Sequence, residues 1–188
     1  MGSAYPFLFK KNKPMACSVT NGRKIPCKSA VGGIKNIFFG PYDTTTADLT
    51  PDPSTGIITL TTADFYKYEV KGNSSLETAI TSSRENGTTF FETTLSATFT
   101  FLDTATQEQI KLLSRGRPQI VIEDYNGNGF LVGKDNGAEV NGGTIVTGAA
   151  MGDLSGFTLT LLAQENEPPF FLAALPTDAS ATPINPTP

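Results

Sequence analysis

The stretch from Phe91 to Phe101 constrains the fold more than any other, because it alternates strictly. Phe91, Thr93, Leu95, Ala97, Phe99 and Phe101 fall on one side, and Glu92, Thr94, Ser96, Thr98 and Thr100 on the other. Successive side chains of a strand point to opposite faces, so this is a long β-strand with one face toward a core and one toward something polar. "GFTLTLLAQ" repeats the pattern: Phe157, Leu159, Leu161 and Ala163 oppose Thr158, Thr160 and Gln164, with Leu162 as the exception. Alternation is weaker in "FYKYEVK", with Tyr66, Tyr68 and Val70 on one face, and in "SSLETAITS", with Leu76, Thr78 and Ile80 on one face. "IKNIFF" and "GIITLTT" are β-branched and aromatic, as strands prefer.

One stretch has a different period. In "LDTATQEQIKLLSRGRP", Asp103 or Thr104 caps a helix, Thr104 and Gln107 fit a capping box, and Gly116 with Pro118 ends it. The expected helix covers about residues 104–115, roughly three turns. Leu102, Ile110 and Leu113 supply its apolar contacts, with Gln107, Glu108 and Lys111 outward. The fold expected is mainly β, a sandwich or rolled barrel with one flanking α-helix and extensions at both ends. The domain spans 17–166, between an arm over 1–16 and a Pro-rich extension over 167–188.

"DYNGNGFLVGKD" places Asp124, Asn126, Asn128 and Gly129 at positions one, three, five and six of a calcium-loop pattern, with Asp135 at position twelve. The context differs from an EF-hand, since "PQIVIE" before it and "FLVG" within it read as strands. Asn and Gly accept positive φ at little steric cost, which a hairpin turn requires. A turn is therefore the preferred reading, with a β-loop cation site at Asp124, Asn126, Asn128 and Asp135 as the alternative. "VGGIKN" and "NGGTIVTG" match no phosphate-binding glycine pattern and read as turns. Asn73 and Asn86 match the glycosylation acceptor pattern, which matters only in a secretory pathway.

Composition removes several function classes. At 188 residues with 38% hydrophobic content, the chain can bury one real core. A net charge of −4 gives no general basic field for nucleic acid. There is no histidine, and Cys17 and Cys27 are the only cysteines, so one chain completes neither a zinc site of the cysteine or histidine type nor a histidine-based triad. The two thiols are expected free, although a chain that doubles back would allow a disulfide. No cofactor, enzymatic activity or membrane span is expected.

The remaining features lie at the ends and in one loop. The first sixteen residues carry Tyr5, Phe7 and Phe9, then Lys10, Lys11 and Lys13. Residues 40–56, with Pro41 and Tyr42, form a long Thr/Pro/Asp loop, and loops of this length are usually functional or disordered. Phe170, Phe171 and Leu172 follow Pro168 and Pro169, and need burial either on another subunit or on the chain's own body.

The segments "MACSVTNGRKIPCKSAVGGIK", "SSRENGTTFFETTLSATF", "IKLLSRGRPQIVIEDYNGNGFLVG" and "GDLSGFTLTLLAQE", spanning roughly residues 15–166 in order, resemble the tail tube proteins of tailed bacteriophages. The resemblance implies a β-sandwich or rolled barrel that forms hexameric rings, stacked into the virion tail as a channel for DNA. Its partners would be its own copies, other tail or neck proteins, and viral DNA passing without sequence-specific binding. On that reading Glu92, Thr94, Ser96, Thr98 and Thr100 face the lumen, and Tyr5, Phe7, Phe9, Pro41, Tyr42, Phe170, Phe171 and Leu172 contact neighbouring subunits. A tail completion or connector protein of the same fold is a close alternative. A calcium-dependent adhesion module, or a carboxylate hydrolase using Glu123 and Asp124, belongs to a different class.

Overall fold

The computed structural model describes residues 21–25, 27–42, 49–60, 64–70 and 73–186. The expectations for Cys17, Tyr5, Phe7 and Phe9 lie outside the described residues, and Cys27 is exposed. The chain is mainly β, as the alternating pattern implies, and its described residues form two antiparallel sheets and one helix. Among the described residues nine strands occur in order: β1 (Ile34–Gly40), β2 (Tyr66–Glu69), β3 (Ser75–Ser83), β4 (Thr88–Thr100), β5 (Gln119–Asp124), β6 (Gly129–Val132), β7 (Glu139–Val146), β8 (Gly156–Glu165) and β9 (Phe170–Phe171). The helix α1 (Thr104–Leu113) lies between β4 and β5. One sheet has the order β2-β1-β5-β6-β9 and the other β3-β4-β8-β7, so α1 carries the chain from one sheet to the other.

The sheets pack face to face around the main core. From the four-stranded sheet come Leu95, Ala97, Phe99, Phe157, Leu159, Leu161 and Ala163, and from the five-stranded sheet Ile37, Phe39, Ile120, Ile122 and Val132. Tyr68 joins them through edge-on contacts with Phe39 at 5.1 Å and Phe99 at 5.6 Å. Leu102, Ile110 and Leu113 pack here, as expected from the helix stripe.

The five-stranded sheet is covered on its other face too. There Phe38, Val121 and Leu131 meet Ile58 and Phe65, with Leu49, Leu60, Phe170, Leu172 and Leu175 packed around them. Two-sided burial explains why β1 and β5 read as nearly continuous apolar runs. The C-terminal segment acts as a strap: β9 pairs with β6, the Ala173 N–H donates to Ile58 O at 3.0 Å, and the Ala179 N–H donates to Phe65 O at 2.8 Å. The molecule thus has three layers.

Four local expectations are corrected. The described part of "GIITLTT", residues 56–60, forms no ladder strand, only a bridge from Ile58 to Leu172, because it runs over the second core beside the strap. "NGGTIVTG" lies largely within β7, not in a turn. A Cβ at Gly143 would come within 2.5 Å of Thr158 O, so glycine serves close strand approach here. The helix N-cap is Asp103, which accepts from the Thr106 N–H at 2.8 Å, so Thr104 is the first helical residue and the Thr104–Gln107 capping box does not form. Phe101 leaves the strand at φ 69° and is 45% exposed, because the chain turns there toward the cap.

Candidate functional site

The outward face of the four-stranded sheet presents mainly hydroxyl and carboxylate side chains. Register fixes its members. Ser96 lies between Ser75 and Thr160, Thr94 between Glu77 and Leu162, and Glu92 between Ala79 and Gln164. Thr98 lies beside Thr158, which is flanked in turn by Thr144 of β7. The five positions expected on one polar face, Glu92, Thr94, Ser96, Thr98 and Thr100, do share it, opposite the core positions of the same strand.

Three of its hydroxyls bond to one another or to backbone, and a carboxamide bonds to a carboxylate. Thr144 and Thr158 are 2.6 Å apart at their Oγ1 atoms, Thr98 Oγ1 donates to Asn73 O at 3.2 Å, and Gln164 Nε2 donates to Glu92 Oε2 at 2.7 Å. Glu77, Glu92 and Glu139 supply the charge of this face, and none of the four strands contains Lys or Arg. Lys35 and Lys67 both belong to the other sheet. Sequence reading found one strand of this face. It did not assign Glu77 to the face, although Leu76 and Thr78 on the other side of that strand were recognised, and it missed Glu139 and Thr144, whose strand β7 it did not recognise.

The sheet is bounded by β3 and β7, each without a ladder partner on its outer side among the described residues. These edges differ. β3 is regular over nine residues, whereas β7 shifts register between Val140 and Gly142. Open edges are templates for pairing with another chain.

The calcium-loop residues are engaged otherwise. Asp124 Oδ1 accepts from the N–H groups of Asn126 at 2.9 Å and Asn128 at 2.7 Å, and Oδ2 accepts from their carboxamides at 3.1 and 2.8 Å. Burial pushes this carboxyl upward, and the bonds from Asn128 and Asn126 outweigh it, holding it below its ordinary range. Gly127, at φ 82°, closes the β5–β6 hairpin. Asn126 also reaches the incoming chain, accepting from the Val31 N–H at 2.9 Å and donating to Val31 O at 2.7 Å. The structure does not bring Asp135 into this group; it pairs with Lys134 at 2.7 Å in the β6–β7 connection. No three Asp, Glu, Cys or His side chains converge among the described residues.

Two buried carboxylates escaped sequence reading as structural groups. Glu123 accepts from Lys35 Nζ at 2.8 Å and from the Asn36 carboxamide. Burial raises its carboxyl, and these partners bring it below the usual value. Glu165, 8% exposed, accepts at Oε1 from the N–H groups of Asp135 at 2.9 Å and Asn136 at 3.0 Å, and burial pushes its carboxyl up.

The candidate contact residues fall in different places. Tyr42 donates to Asp135 O and lies beneath the Arg117 guanidinium at 4.7 Å, while Pro41 is exposed. Phe170 and Leu172 are partly buried in the second core, and Phe171, 51% exposed, touches Phe130 with 4.7 Å between ring centroids. No helix among the described residues is long and apolar enough to cross a membrane.

Fold and site together define a β-sandwich with one sheet whose strands carry no Lys or Arg. No family model matches the chain, and neither the curated proteins nor the solved structures provide a match.

Proposed function

We propose that the protein is the tube subunit of a bacteriophage tail. Copies join side by side through β3 and β7, and the polar face of the four-stranded sheet lines a channel for DNA. The observation that carries this reading is the complete absence of Lys and Arg from four strands that present hydroxyls and three glutamates on one face. Affinity for a phosphate backbone comes chiefly from Lys and Arg, so such a wall offers DNA no place to adhere and repels it weakly. Two unlike open edges favour heterologous contacts, which close into rings when the rotation per copy allows. In the virion the partners are further copies, stacked as rings, and the tail or neck proteins at the ends of the tube.

Negative-stain electron microscopy of the purified chain, over a concentration series with and without calcium, tests this reading. Rings or hollow tubes independent of calcium are expected. Single particles at every concentration, or assembly that follows calcium, count against it.

A further inference from the structure

Charge is divided along this chain. Half of the 14 Lys and Arg, from Lys10 to Lys35, precede the first carboxylate, Asp43, and all 18 Asp and Glu follow. Among the described residues, Arg23, Lys24 and Lys28 are exposed on an irregular segment, and none of them joins an ion pair.

The segment has a fixed place on the sandwich. It is held at Val31 by Asn126, and it enters β1 where β5 ends, at Ile34 opposite Asp124. The Val70 N–H donates to Lys35 O just before the chain crosses to β3, so the start of β3 lies at this end too.

The opposite end lies about 20 Å away along β5. There Gly40 pairs with Gln119, the Ala138 N–H donates to Pro118 O, and Glu165 holds residues 135 and 136, so β7 begins and β8 ends at this pole. It presents a cleft of about 360 Å³ in which Glu139, Asn136, Asn141 and Gln164 offer acceptors, with Arg117 on its wall. Glu139 and Glu167 are exposed and enter no ion pair among the described residues. Among the described residues no ion pair joins the basic segment to Glu139 or Glu167 of its own chain, and the two ends are brought together when two copies align head to tail.

We propose that the basic segment of one copy, through Arg23, Lys24 and Lys28, docks on the Glu139 cleft and Glu167 of a second copy. Resting on the tube reading, this contact joins one ring to the next, whereas β3 and β7 join copies within a ring. Charge complementarity at such a contact sets register and direction, and salt weakens it.

The test is zero-length carbodiimide cross-linking of an equal mixture of ¹⁵N-labelled and unlabelled full-length chains, with peptide mapping. Links from Lys24 or Lys28 to Glu139 or Glu167 are expected as mixed-isotope pairs, and raising salt to about 1 M should reduce them. The triple variant Arg23→Glu, Lys24→Glu, Lys28→Glu changes exposed residues of an irregular segment and should keep the wild-type circular dichroism. Its assembly should need about tenfold more protein, and Glu139→Lys with Glu167→Lys in the other half of a mixture should restore the contact.

Same-isotope links alone, or assembly of the triple variant at wild-type concentrations, would overturn the proposal. So would duplex DNA retention that the triple variant loses while its particles still form, which would assign the segment to nucleic acid. Mixed-isotope links without rings or tubes would keep the contact and remove the tube reading.

Discussion

Asn126→Ala separates a mechanical clamp from a cation loop. The substitution removes the acceptor of the Val31 N–H at 2.9 Å, the donor to Val31 O at 2.7 Å and a donor to Asp124 Oδ2 at 3.1 Å. A typical net hydrogen bond contributes ~0.5–1.5 kcal/mol, and the two that reach Val31 are exposed, so together they hold the incoming segment by about 1–2 kcal/mol. Losing them raises the open population of residues 21–33 by roughly 5–30-fold. Hydrogen exchange read at the Val31 amide measures this directly, with the buried Ile120 amide as internal control. Residues 21–33 are all exposed where described, so the melting midpoint should stay within about 2 °C. Unchanged Val31 exchange would refute the clamp. Calcium that slows Val31 exchange in the native chain and not in the variant would show a cation loop instead.

Gly156→Ala should destabilise by about 1–3 kcal/mol or more in urea unfolding, since the new Cβ would sit 2.0 Å from Phe99 O, while Gly142→Ala, with open space, should cost under about 0.5 kcal/mol; equal losses would contradict the packing of β4 on β8. In Glu165→Gln the Oε1 acceptor of both amides is kept and the charge removed. Burial raises the folded pKa of Glu165, so its charge weakens the fold only as pH rises from the unfolded value near 4.5 through the raised one. The variant should match the native chain at pH 4 and exceed it at pH 8, and a gain that ignores pH would count against burial as the cause. Thr98→Lys places a cation among hydroxyls of the sheet face and should create salt-dependent retention of duplex DNA, with a slope of about −0.9 per phosphate contacted. Native protein that already retains DNA as well as the variant would argue against the lumen assignment.

Much of the fold was legible because the pattern of β4 and β8 is set by a core on one side and solvent on the other. The helix was legible from its stripe, and the 124–129 turn from its Asn and Gly residues. What failed were features decided by distant partners. Ile58 and Leu172 look like unsatisfied apolar residues until the outer face of the five-stranded sheet is present to receive them. Gly143 looks like a turn residue until Thr158 lies against it. The sequence left the cap open between Asp103 and Thr104, both competent; the direction of the chain leaving Phe101 selects Asp103, and only the Thr104–Gln107 capping box is lost. For the candidate site, the polar side of β4 was readable from that strand alone. The lack of cations across the face emerged only when register placed β3, β7 and β8 beside it.

The strap also imposes an order of events on synthesis. Ile58 and Phe65 are made early, yet the residues that cover them, Leu172 and Leu175, follow every strand of the main sandwich, and Lys67 waits 111 positions for Asp178. A chain emerging from the ribosome can close its first core while the second stays open. A chain released before residue 170 therefore keeps a greasy flank of the kind that chaperones and proteases recognise.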